Sequence, residues 1–170
     1  MVQKTVGLLP EIGISGQKVA TDSARYLAYQ PLSDGTVKAG GFVFAKTNGG
    51  TQSAPFAIVA GTGSAGDVPL GFCERVVDGT LTNVLSAGTD TLAEGAVVTV
   101  AVQGQFYLEV PVGLSSIVDG YGVYIDPTTG AINLASSAGL GEEDTGFKVV
   151  MPNGKASADA GDIVIIQRFD

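Results

Sequence analysis

The chain contains one cysteine and no histidine, and these two counts restrict the covalent chemistry open to it. Ser-His-Asp and Cys-His catalysis both use an imidazole as the proton acceptor, so neither arrangement is possible here. Cys73 stands in the apolar stretch PLGFCE, and we interpret it as a small buried hydrophobic residue although Arg75 is near. One cysteine without histidine also cannot build a structural zinc site.

Carboxylates are the next groups that could perform chemistry. A pair of acids that converge in space would suit a glycosidase, and this remains the enzymatic alternative. The sequence EED at 142–144 lacks the spaced aspartates of a calcium loop, so we interpret it as a solvated charge run. We therefore predict no catalytic residue, no metal and no cofactor. The candidate acids mostly flank predicted turns, and they are Asp78, Glu94, Glu109 and Asp119.

Two further patterns could bind a ligand. The glycine-rich stretch GTGSAGD at 61–67 ends in Gly66-Asp67, whereas a phosphate loop ends in a lysine and a hydroxyl residue, so we predict a surface loop. Tyr107, Tyr121 and Tyr124 could form an aromatic platform for a sugar. Tyrosine is equally at home in protein interfaces, which is the interpretation we favour.

The composition favours a protein that works by covering a surface. Charged residues make up 15% of the 170 residues, against about 25% in average soluble proteins. The net charge of −8 disfavours binding to a nucleic-acid backbone. No apolar run approaches a membrane span and the N-terminus lacks a secretion signal, so we expect no membrane partner and synthesis in a cytoplasm.

The elements that carry these residues are predicted to be short strands. From residue 37 onward, apolar runs alternate with glycine-rich turns, a pattern typical of an all-β barrel or sandwich. The turn DPTTG at 126–130 predicts a hairpin. At most one helical turn is expected at 115–120 and at 136–144. The predicted strands lie at 41–45, 55–60, 69–73, 81–85, 96–110, 122–125, 131–135, 146–150 and 163–169.

The stretch EGAVVTVAVQGQFYLEVP at 94–111 has the most regular pattern. Its even positions are all apolar, and they are predicted to line the core. Fifteen extended residues would span about 50 Å, which is too long for an ordinary strand. We therefore expect a bend or bulge at Gly104.

The first 37 residues differ from the rest. Residues 1–38 carry four bases and three acids, whereas the remaining residues hold five bases and fourteen acids. Prolines and glycines interrupt any regular element, yet the stretch is too apolar for a free tail. We predict an extended N-terminal arm at 1–37 that becomes ordered on assembly, and a β-barrel or sandwich body at 38–170. An irregular strand of the same domain is the alternative.

Several stretches together resemble the capsid cement, or head decoration, proteins of tailed bacteriophages. They are the irregular N-terminal stretch, VKAGGFVFAK, PLGFCE, EGAVVTVAVQGQFYLEV and DGYGVYIDPTTGAI. The resemblance implies a small acidic β-barrel, commonly a homotrimer, on the outer surface of the virion capsid. It also implies the major capsid protein as the partner, bridged by arms that cross capsomer boundaries.

The contact residues are expected in the arm, because its apolar side chains need cover. A tail-associated or glycan-binding β-domain remains the alternative function. The expected capsid or subunit contacts are Leu8, Leu9, Ile12, Ile14, Tyr26 and Tyr29.

Overall fold

A computed structural model describes residues 15–19, 23–46, 58–76 and 90–169. These residues form ten strands and one short 3₁₀ helix, Pro152–Gly154. The all-β prediction is confirmed. The strands are β1 (Arg25–Tyr26), β2 (Leu32–Ser33), β3 (Phe42–Ala45), β4 (Ile58–Ala60), β5 (Gly71–Cys73), β6 (Val100–Glu109), β7 (Gly122–Asp126), β8 (Ala131–Ala135), β9 (Glu143–Val150) and β10 (Ile163–Arg168).

The strands join in one sheet with the order β2-β4-β3-β5-β6-β10-β9-β7-β8, and β1 pairs with β6 off this path. All pairs are antiparallel except the pair of β2 with β4. Eight of the nine predicted strands correspond to described strands. The ninth, at 81–85, lies outside the described residues.

Strand β6 is the centre of the molecule, because both halves of the sheet pair with it. Its register with β1 shifts between Gln103 and Ala101, which places a bulge beside the bend predicted at Gly104. Gly104 has φ +132° and lies so close to Ala24 that a Cβ atom there would be 2.9 Å from the Ala24 Cβ. The strand begins at Val100 rather than at residue 96.

The first half of the sheet is a ring of short strands. A bridge between Leu32 and Val97 joins β2 to the segment that precedes β6, and the Ser33 amide donates to the Ala96 carbonyl at 2.8 Å. The two ends of the strand series from β2 to β6 are therefore joined, which closes the ring. A small apolar cluster belongs to this half, and its buried members are Val37, Val43, Val59, Cys73, Leu92, Val98 and Val100.

The second half is a sheet of longer strands, β6-β10-β9-β7-β8, over a larger apolar cluster. Phe147 of β9 lies 5.7 Å from Phe42 and 6.2 Å from Phe72, measured between ring centroids. These two rings come from the first half, so the aromatic cluster joins both halves. Strands β3 and β5 are consequently buried on both faces.

The hairpin predicted at DPTTG is present between β7 and β8. Asp126 Oδ1 accepts bonds from the Thr128 amide at 2.8 Å and from its hydroxyl at 2.6 Å. The Gly63 amide donates to the Pro127 carbonyl at 2.6 Å, which connects the hairpin to the first half. The helical turns allowed at 115–120 and 136–144 do not form: these residues make turns and bends, with a bridge at Ile117 and the start of β9 at Glu143.

Candidate interaction surface

The described part of the predicted arm lies along one side of β6. The Gly16 amide donates to the Tyr107 carbonyl at 2.8 Å, and the Val19 amide donates to the Gln105 carbonyl at 2.9 Å. Further along the chain, the Leu27 amide donates to the Val100 carbonyl at 3.0 Å. Backbone hydrogen bonds therefore attach residues 15–19 and 23–33 to the body from one end of β6 to the other.

Gly16 and Arg75 hold the first described residues in place. A Cβ atom at Gly16 would lie 2.8 Å from the Gly40 nitrogen, and Gly16 has φ +88°, so only glycine fits without strain. The Arg75 amide donates to the Gly16 carbonyl at 2.8 Å, and its Nε donates to the Ser15 carbonyl at 2.9 Å. An ion pair of 2.7 Å with Asp90 orients the guanidinium. Sequence patterns did not identify this fastening, because its members are far apart in the chain.

Tyr26 is one of the two predicted contact residues that the structure describes. It pairs with Ala101 of β6, and its side chain is 40% exposed. Burial of part of the ring, a hydrogen bond to Glu74 and the charge of that carboxylate raise the pKa of the phenol well above its ordinary value. The phenol therefore stays neutral and presents both an apolar ring and a polar group at the surface.

Tyr29 lies in a bend between β1 and β2 and is 42% exposed. Val97 lies outside the N-terminal segment but pairs with Leu32, three residues after Tyr29, and is 52% exposed. Tyr29 and Val97 therefore form an apolar outer surface where the N-terminal segment meets the body. The other predicted contacts lie outside the described residues: they are Leu8, Leu9, Ile12 and Ile14.

Cys73 is fully buried, as predicted for a small hydrophobic residue. Burial, reinforced by the charge of Glu74 and opposed by Arg75, raises the pKa of the thiol to about 12. The thiol therefore remains protonated near neutral pH, and it has no access to a reagent in solution.

The candidate acids have structural or exposed positions. Asp119 accepts a bond from the Met151 amide at 3.0 Å, while Glu94 and Glu109 are exposed and Asp78 lies outside the described residues. Among the residues that the structure describes, no cluster of acids and cysteine could hold a metal ion. Within the same residues, no helix is long and apolar enough to cross a membrane.

The loops and tyrosines considered as binding sites are also described. Residues 64–67 form an exposed turn in which Asp67 accepts a bond from the Ser64 amide at 2.7 Å. Tyr121 packs partly against the larger apolar cluster, and the Tyr124 ring lies over Gly122. Tyr107 lies on the outer face of β6, opposite Ile165. All three rings are partly buried.

A family model described as structural cement protein (E217 gp24/Pam3 gp6) matches residues 2–168. The chain belongs to this family of phage structural proteins. The match covers nearly the whole chain and agrees with the resemblance stated from the sequence. The family consists of structural phage proteins, which are not an enzyme class, and membership implies a place in the phage particle.

The fold is also similar to that of a solved chain from "The capsid of Myoviridae Phage XM1". The TM-score is 0.59 at 16% sequence identity, and the similarity covers 98% of this chain and 93% of the other. No curated protein has a significantly similar sequence. At this level of identity the solved structure supports the fold, and the family match supports the role.

Proposed function

We propose that this cement protein binds the outer surface of a phage capsid and bridges neighbouring major capsid protein subunits. The observation that carries the proposal is the family match over residues 2–168. A capsid chain with a similar fold and the low charged fraction of 15% support it. The protein is made in the host cytoplasm and acts as a homotrimer on the virion.

The N-terminal segment provides the contacts with the shell. Its described part is fastened to the body at Ser15 and Gly16, so residues 1–14 extend the chain from a fixed point. Leu8, Leu9, Ile12 and Ile14 bury their side chains against neighbouring subunits. Tyr26 and Tyr29, which are already exposed on the body, add to the same contact.

Ordering of residues 1–14 is coupled to assembly. Fixing the backbone costs about 1 kcal/mol or more per residue, whereas burial of apolar surface returns about 25 cal/mol per Å². The four apolar side chains gain this return only when another subunit covers them. Repetition around a symmetric shell then multiplies modest individual contacts.

Deletion of residues 1–14 tests this role of the segment. The deletion ends before Ser15 because residues 15–19 pair with β6, so the body should keep its stability. We expect the truncated protein to bind purified heads at least tenfold more weakly than the intact chain, as measured by co-sedimentation. A variant with Gln3 and Thr5 replaced by serine is the matched control and should bind normally. Full-strength binding by the truncated protein would contradict the proposal.

A further inference from the structure

The outer face of β6, β10 and β9 has few charges. Residues on these strands alternate, so that Val164, Ile166 and Val149 are buried in the core while their neighbours point outward. Where β10 pairs with β6 and with β9, the outward residues are partly exposed, apart from Glu109 and Lys148, which are exposed. Asp144, an exposed acid farther along β9, lies beyond this paired region. We call this surface the neutral face, and it consists of Gln105, Tyr107, Glu109, Lys148, Val150, Ile163, Ile165 and Gln167.

An apolar row crosses the centre of the neutral face. Ile165 of β10 pairs with Tyr107 of β6 on one side and with Val150 of β9 on the other. Paired residues of an antiparallel sheet share a face, so the three side chains are neighbours. Beside this row, Gln105 Nε2 donates to Gln167 Oε1 at 3.2 Å, which adds a polar but uncharged pair.

The two charges stand at opposite corners, at equal distances from Ile165. Glu109 pairs with Ile163, two residues before Ile165, and Lys148 pairs with Gln167, two residues after it. With strands about 4.8 Å apart and a rise of about 3.4 Å per residue, each charged residue lies about 8 Å from Ile165. The charges of the face sum to zero, although the chain carries −8.

We propose that the neutral face binds the neutral face of a second copy of this chain. Two copies that each carry −8 repel one another, and they repel least where the surface is neutral. A two-fold axis through Ile165, perpendicular to the line from Glu109 to Lys148, places Glu109 opposite the partner's Lys148. The same axis places Lys148 opposite the partner's Glu109, so the contact is self-complementary.

This contact pairs one copy with one other copy, and it is additional to the proposed homotrimer. It rests on the sheet register and the charges alone, not on the proposed binding to the shell. A cement protein that also binds its own kind gains stability from contacts between neighbouring copies as well as from contacts with the capsid.

Charge reversal of the two corners tests the contact. The full-length chain and its variants are compared by sedimentation velocity over a range of micromolar concentrations. Glu109→Lys and Lys148→Glu each place like charges opposite one another twice, so each should weaken self-association about tenfold. The double variant Glu109→Lys/Lys148→Glu restores both opposite pairs and should associate as the original does. Glu94→Lys, which reverses an exposed charge outside the face, is the matched control.

A second variant tests the apolar row. Ile165→Lys leaves the buried side chains of β10 unchanged, and we expect it to remove the pairwise association while thermal unfolding shows a folded protein. The proposal is overturned if the original chain shows no pairwise association. It is also overturned if Ile165→Lys associates normally, or if the double charge reversal is as weak as the single ones. Head binding by the same variants reports separately on the proposed function.

Discussion

The two halves of the molecule are stabilised in different ways. The second half contains strands of five to ten residues that mostly follow one another in the chain, over a core with several aromatic rings. The first half contains strands of two to four residues, and its ring is closed by backbone hydrogen bonds from Pro31 and Ser33. The second half is therefore stabilised by pairing of strands near one another in the chain, and the first half by contacts between distant parts of the chain.

Removal of a ring from the shared aromatic cluster should have the largest effect. Phe147 is 1% exposed and contacts rings from both halves, so Phe147→Ala should lower the free energy of unfolding by about 4 kcal/mol. Val43→Ala, in the smaller cluster, should cost about 2 kcal/mol. Urea unfolding measures both values. Equal costs for the two variants would contradict the unequal roles of the two clusters.

Disruption of the fastening of the N-terminal segment should lower the free energy of unfolding by an intermediate amount. Gly16→Ala adds a Cβ that meets the Gly40 backbone at a residue with φ +88°, so we expect a loss of about 3 kcal/mol. Gly66 has φ +84° with nothing within 4 Å, so Gly66→Ala isolates the cost of the backbone angle, about 1 kcal/mol. Amide exchange should also accelerate at 15–19 in the first variant only. Identical losses would mean that close packing at Gly16 contributes nothing.

Acid should remove the small stabilisation that Asp34 gives to the first half. Burial alone would raise the pKa of Asp34, but bonds from Thr36 and Lys46 outweigh it, so the pKa is lowered on folding. A lowered pKa means that the stabilisation is present above the ordinary aspartate value of about 4 and is lost as the pH falls through the folded value. The loss should be less than about 1 kcal/mol.

Substitution identifies the group that titrates. Asp126 also has a lowered pKa, through bonds from Thr128 and Thr129, and no lysine among the described residues forms an ion pair with it. Unfolding measured between pH 6 and about 3 should therefore lose part of its pH dependence in Asp34→Asn, and Asp126→Asn is the matched comparison in the second half. An unchanged pH dependence in Asp34→Asn would contradict the assignment to the Asp34–Lys46 pair.

The second half could be predicted from local pattern. Alternation in β6 identified most of its buried side chains, apolar runs located β7 and β10, and the DPTTG turn located the hairpin. Strand β9 was predicted too short because Glu143 and Asp144 resemble a solvated charge run. In the structure Thr145 alternates with them and is buried, with its hydroxyl bonded to the Val123 carbonyl at 2.7 Å.

The first half could be predicted only in part. The rule that even positions of β6 face the core fails at Ala101, which is fully buried because β6 passes between two clusters. The fastening at Gly16 depends on Arg75 and Gly40, and no local periodicity links residues so far apart. The neutral face combines three strands that lie in the order β6-β10-β9, and no sequence pattern predicts this order.

Binding of the intact chain to heads purified without it tests the central claim most directly. We predict saturable binding, with a fixed number of copies per head, and an increase in the temperature at which the heads release their DNA. Heads that bind no protein, or that bind it without any change in thermal stability, would contradict the account of this chain as a protein that stabilises the capsid from outside.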